Sequence, residues 1–269
     1  MTQSAQLPTF TTQLIPVNNL TLSVKIAGSG QPIVLFHSLL ADETSFNRIT
    51  PELAKNFQVI QLSLPGFGDS SFIDGLDASA DFIAAAIRVL KLNKAPIFLG
   101  NGYGGFVALN TAIRHSDLPS KLVLADCGAC FTEQGRAAFK GMSTNAAANG
   151  MTAIADVAMR RLFAPAYQTE HPELIAERKE RFLAMNPQTF HAACAALGSM
   201  DLRPNLPELK IPSLVLVGEL DEATPPPMST ELAKGLPNSS LHVLAGLAHV
   251  PQLQDPDTFL ATIRTFISE

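Results

Sequence analysis

The sequence holds no run of lysine or arginine, no tryptophan, only three cysteines and no apolar stretch of membrane-spanning length. Each absence excludes something. With no basic cluster and a net charge of -5, the chain offers no electrostatic footprint to nucleic acid or to an anionic membrane, which leaves small molecules as the expected partners. A bilayer span takes about 20 consecutive apolar residues, and no apolar run here approaches that length. The opening Met-Thr-Gln-Ser-Ala-Gln-Leu-Pro has neither the basic start nor the apolar core of a secretion signal, so a soluble, cytoplasmic protein is expected, with a homo-oligomer left open. Three cysteines do not make a disulfide framework. Cys127 and Cys130 have the Cys-x-x-Cys spacing of a redox pair or half a zinc site, but no second thiol pair or His-x-x-x-His completes one. They follow a strand rather than open a helix, so free buried thiols, no metal and no cofactor are expected.

What is present is enough for one sizeable core with an insertion: 269 residues, 46% hydrophobic and 16% charged, without internal repeat or low-complexity linker. Residues 17–26 alternate with period two, and 32–36 form the short continuous apolar run of a buried parallel strand. Further strands are expected at 57–64, 96–99 and 121–125, with helices at 44–55 and 78–92 between them. In the second helix Phe82, Ile83, Ala86, Ile87 and Leu90 recur at helical spacing. This alternation predicts an α/β fold with a mainly parallel central sheet and helices on both faces. Between 131 and 200 the strand signal vanishes, leaving helix-like segments such as 151–163 and 172–185. The sheet pattern then resumes at 214–217 and 241–244, with helices at 227–236 and 256–267. The expected division is a core of residues 1–130 and 201–269 and a helical lid of 131–200, covering the strand ends where ligands bind in such sheets.

Residues 95–109 carry the sharpest motif: an apolar strand, Gly-Asn-Gly-Tyr-Gly, then the apolar start of a helix. This is the Gly-x-Ser-x-Gly layout of a nucleophile elbow with Gly102 in the serine position. Acyl transfer needs a nucleophile, an imidazole, a carboxylate to orient it, and oxyanion donors. His249, in Ala-His-Val-Pro after the last strand, is the candidate base, and Asp221, in Gly-Glu-Leu-Asp-Glu-Ala-Thr-Pro-Pro, its candidate partner, with Glu219 the runner-up acid. Taken singly, the one reads as an ordinary loop histidine and the other as a turn former; their joint placement after successive strands gives them weight. The backbone amides of Tyr103 and of Leu39, in the loop Phe-His-Ser-Leu-Leu, are the candidate oxyanion donors, with Ser38 lining the substrate site in a position that glycine often fills. His37 is read as positional, and Pro-Gly-Phe-Gly-Asp-Ser (65–70) as a tight turn. Ser38, in the oxyanion loop, and Tyr103, pointing away from the turn apex, are expected to be poor substitutes for the missing hydroxyl.

Together, the His-Ser-Leu loop, Pro-Gly-Phe-Gly-Asp-Ser, the Gly-x-Gly-x-Gly elbow, the Asp221 segment and Ala-His-Val-Pro make the chain resemble the α/β-hydrolase superfamily over nearly its whole core. Within it the chain is similar to the 3-oxoadipate enol-lactonases, through residues 37–39, 124–127, 221–226 and the lid stretch 154–165. That resemblance implies an α/β-hydrolase fold and a small carboxylic ester or enol-lactone substrate. The chain departs from it at Gly102, where serine is usual, and at Leu162, where tryptophan is usual. Arg160 and Arg161 either meet a substrate carboxylate from the lid or form the solvated face of an amphipathic helix.

Two readings of Gly102 follow. In the first, it is a substitution that silences a Ser-His-Asp hydrolase while leaving Asp221, His249 and the oxyanion amides in place. Glycine also accepts the positive φ that the elbow demands. In the second, the glycine is native. The protein then either binds a small ligand under its lid or uses the His249 and Asp221 pair as a general base for lyase or cofactor-free oxygenation chemistry.

Overall fold

The structure, a computed structural model, describes residues 8–269. The expectation of a leaderless start falls on residues 1–7, outside the described residues. Eight strands form one sheet: β1 (Thr11–Val17), β2 (Leu20–Ala27), β3 (Gln31–Phe36), β4 (Phe57–Leu62), β5 (Ile97–Asn101), β6 (Lys121–Ala125), β7 (Ser213–Gly218) and β8 (Ser239–Leu244). Their spatial order is β1-β2-β4-β3-β5-β6-β7-β8, antiparallel at β1, β2 and β4 and parallel from β4 to β8. The chain steps from β3 outward to β4 and then back to β5 on the other side of β3. This is a topological switch point, whose crevice lies at the carboxyl ends of β3 and β5.

The helices are α1 (Thr50–Leu53), α2 (Leu76–Val89), α3 (Tyr103–Arg114), α4 (Glu133–Asn149), α5 (Ala155–Leu162), α6 (Pro165–Glu170), α7 (Pro172–Leu183), α8 (Pro187–Ser199), α9 (Pro226–Gly235), α10 (Pro251–Gln254) and α11 (Pro256–Ser268). Successive strand residues feed opposite faces, as the pleat requires. Val34, Phe36, Phe98, Leu122, Leu124 and Val215 join a cluster with α2, α3 and α9, whereas Ile33, Leu35, Leu99, Val123 and Leu216 join one with α1 and α11. The parallel sheet with helices on both faces is the architecture expected from the sequence.

Two local readings change. The alternating run 17–26 does not begin as a strand. Val17 pairs with Leu20, so Asn18 and Asn19 form a two-residue hairpin turn, and Asn18 takes φ 54°, which asparagine tolerates. The single helix expected over 44–55 is two pieces, a 3-10 turn at Glu43–Phe46 and the one-turn α1. Pro51 sits in the first turn of α1, where its missing N–H costs nothing; inside a longer helix it would break the ladder.

Between Phe131 and Met200 the chain forms the helices α4 to α8 and no strand, and an isolated bridge of Cys130 with Asp201 brings the two ends of this insertion together. Its apolar side is continuous with the α2 and α3 core cluster, and Phe182 packs edge-on against Phe190 at 6.1 Å between ring centroids. The buried Arg178 of α7 donates to Thr44 Oγ1 at 3.0 Å and lies 3.7 Å from Asp42, which Arg181 also meets at 3.1 Å. These contacts tie the insertion to the loop after β3. Among the described residues no helix is long and apolar enough to cross a membrane. All three cysteines are free and buried; Arg136 Nη2 lies 3.2 Å from Cys130 Sγ.

Candidate active site

Strand β5 turns into α3 through Gly102 alone, at φ 56° and ψ -124°. A positive φ at this corner favours glycine. On the next turn a Cβ at Gly104 would overlap the Phe36 carbonyl, so the close approach of α3 to β3 also requires glycine there. The corner aims position 102 at two side chains. A Cβ built on Gly102 meets Ser38 Oγ at 2.5 Å and His249 Nε2 at 2.6 Å.

His249, buried after β8, has its Nδ1 2.9 Å from Asp221 Oδ2 in the turn after β7. Asp221 is itself held: its Oδ1 accepts from the Ala223 and Thr224 amides at 2.8 and 3.0 Å, and Thr224 Oγ1 donates to its Oδ2 at 2.6 Å. Burial pushes the Asp221 carboxyl up, but the adjacent imidazole and the Thr224 hydrogen bonds outweigh it and hold the pKa below the usual carboxylate value. A carboxylate at Nδ1 places the imidazole proton there and leaves Nε2 as an acceptor. Ser38 Oγ, 3.2 Å away, is the donor it meets. The sequence places Ser38 at the substrate site and expects its hydroxyl to be a poor substitute for the missing one. The fold carries its hydroxyl to the imidazole because the loop after β3 crosses directly over the glycine corner. Glu219, the runner-up acid, is exposed and accepts instead from the Gly246 amide.

The loop after β3 is braced by His37, which is fully buried. The Leu64 amide donates to its Nε2 at 3.1 Å, which leaves Nδ1 to donate to the Ser38 carbonyl at 2.9 Å. Burial lowers the His37 pKa, so it serves as a neutral strut. Two backbone amides beside the cavity are unpaired: among the described residues neither the Leu39 nor the Tyr103 amide finds an acceptor, and both residues line the cavity above Gly102.

That cavity is apolar and tight, about 30 Å³, with Ser38 and His249 at its floor and Phe106, Phe131, Phe139 and Phe190 among its walls. It has room for one or two waters as it stands. Arg161 reaches its rim and makes no ion pair among the described residues, whereas Arg160 points to solvent. Cys194 also lines it, with a thiol pKa pushed up to about 12 by burial, which keeps it protonated and unreactive.

Sequence reasoning missed a layer behind the base. Asn101, beside the glycine corner, donates to the His249 carbonyl at 2.8 Å and to Asp126 Oδ2 at 3.3 Å, and accepts from Gln252 at 3.0 Å. Asp126 directly follows β6 at φ 52° and accepts from the Gly218 amide at 2.8 Å. Burial first, then the neighbouring Asp221 charge, drive its pKa well above the usual value. An aspartate directly after the apolar run 121–125 is the sequence signal that could have singled it out.

A parallel sheet with a glycine corner after β5, an acid after β7 and a histidine after β8 defines an α/β-hydrolase-type protein. The model of the alpha/beta hydrolase family matches residues 33–262, and the chain belongs to that family. It is 26% identical over 256 residues to the pimeloyl-[acyl-carrier protein] methyl ester esterase of Vibrio atlanticus, covering 91% of this chain and 98% of that protein. Among solved structures it is similar to the enol-lactonase of Burkholderia xenovorans LB400, with a TM-score of 0.89, 26% identity, and 96% and 100% of the two chains covered. It is also similar to a thermophilic esterase of Thermogutta terrifontis, with a TM-score of 0.86, 26% identity, and 97% and 98% covered.

Proposed function

We propose that the chain carries the site of a cytoplasmic, cofactor-free hydrolase of small carboxylic esters or lactones. The observation that carries this reading is His249, held by Asp221, lining one apolar cavity with Leu39 and Tyr103, whose amides are unpaired among the described residues. In this reading His249 is the general base, Asp221 fixes its tautomer, and the two amides receive the developing oxyanion. Gly102 closes the covalent route at its own position. Residues 131–200 act as a lid on the core of 1–130 and 201–269; the small cavity requires that lid to shift before an ester enters. Arg161 meets a carboxylate on the acyl chain, and Arg160 remains solvated. The ester and lactone substrates named for the similar Vibrio and Burkholderia proteins support this substrate class.

The test is Gly102→Ser assayed on p-nitrophenyl esters and a lactone panel. Hydrolysis should rise at least ~10³-fold over the parent chain and disappear again when His249→Ala is added. A variant that is inert on every ester and lactone, with the parent chain inert as well, would overturn the reading. A second reading, with glycine as part of a working site, is favoured by one observation: the space a side chain at 102 needs is already filled by Ser38 and His249.

A further inference from the structure

Resting on the ester or lactone reading of this cavity, we propose that Ser38 is the nucleophile of the chain. Its hydroxyl, presented from the loop after β3, takes over the acyl-accepting role from position 102.

Three observations converge on it. Ser38 Oγ lies 3.2 Å from His249 Nε2, and with Nδ1 committed to Asp221 that contact runs from hydroxyl donor to imidazole acceptor, as nucleophile activation requires. Among the described residues no other hydroxyl or thiol hydrogen-bonds His249 Nε2; Thr224, the other hydroxyl at this histidine, sits at Nδ1. Ser38 also lines the cavity floor next to both unpaired amides, one of which belongs to the residue that follows it.

The chemistry balances without a further reagent. Ser38 Oγ bonds to the carbonyl carbon as its proton passes to His249 Nε2. The carbon–alkoxy bond then breaks, and the alkoxide leaves with that proton as an alcohol, which stays tethered when the substrate is a lactone. Water next attacks the Ser38 ester, giving a proton to His249, and the carboxylic acid departs as Ser38 recovers its hydrogen.

The unaltered chain should be treated with a fluorophosphonate probe and, separately, with p-nitrophenyl acetate under acid quench, and the adduct located by peptide mass spectrometry. The expected adduct is on Ser38. Ser38→Ala should abolish it and His249→Ala should slow it at least ~10³-fold, whereas Ser38→Cys should retain acylation as a thioester with a shifted pH profile. The map on the unaltered chain needs no variant to fold. No adduct, or an adduct only elsewhere, overturns the proposal. If Gly102→Ser nonetheless becomes an esterase labelled at position 102, the site reading stands and only the role of Ser38 falls; if that variant is also inert, both fall.

Discussion

Position 102 and Ser38 compete for one volume: a Cβ on Gly102 lies 2.5 Å from Ser38 Oγ and 3.0 Å from Ser38 Cβ. Installing a side chain at the corner therefore displaces Ser38 and shifts the imidazole behind it, in addition to holding a non-glycine residue at φ 56°.

Gly102→Ser should lower stability by about 1–3 kcal/mol, the usual cost of a strained non-glycine corner. Adding Ser38→Gly should return part of that loss, with a coupling of roughly 0.5–3 kcal/mol between the two sites. Urea unfolding of the single and double variants measures it. Strict additivity would mean that the two side chains do not share the space.

Asp221→Asn keeps the acceptor for the Ala223 and Thr224 amides but presents a donor or a neutral oxygen to His249 Nδ1. The fold should persist while fluorophosphonate labelling slows by ~10⁴-fold, because the imidazole loses its productive tautomer. Labelling at the parental rate would place Asp221 outside the reaction.

Asp126 and Asp221 respond to pH in opposite senses. Asp221 has a lowered pKa in the fold, so its contribution is present above the carboxylate value of the unfolded chain and is lost as pH falls through the folded value. Asp126 has a raised pKa, so its contribution is full in acid and shrinks as pH rises from about 4 toward the folded value. Asp126→Asn should remove that alkaline decline. Relative to the parent, the variant should gain stability in denaturant titrations as pH rises above the unfolded carboxylate value, and a difference that stays constant with pH would contradict the raised pKa.

Arg161→Met should raise KM by about 10- to 100-fold for a methyl ester bearing a second, free carboxylate, the worth of a charge-assisted hydrogen bond, and leave a neutral ester of equal length unchanged. The measurement is made in whichever form of the chain turns over. Arg160→Met, altering a solvated residue, should change neither.

The inner strands were legible because a strand buried on both faces must be a short continuous apolar run, as residues 32–36 and 121–125 are. The corner was legible through its glycines, and Asp221 and His249 through their places just beyond β7 and β8. Strand β1 carried almost no signal, since its first four residues are exposed along a sheet edge. The meeting of Ser38 with His249 joins residues 211 positions apart and depends on an atom absent from Gly102, so no local pattern could announce it. Nor could the raised pKa of Asp126, which arises only when β6 and the turn after β7 are brought side by side.

The bond from Asn101 to the His249 carbonyl fastens the strand that ends in the glycine corner to the loop that holds the imidazole. Neither end of this tie involves the side chain at 102. A change at the corner therefore leaves this tie standing even as it displaces Ser38 and the imidazole ring, so strand and loop keep their mutual position while the side chains above them rearrange.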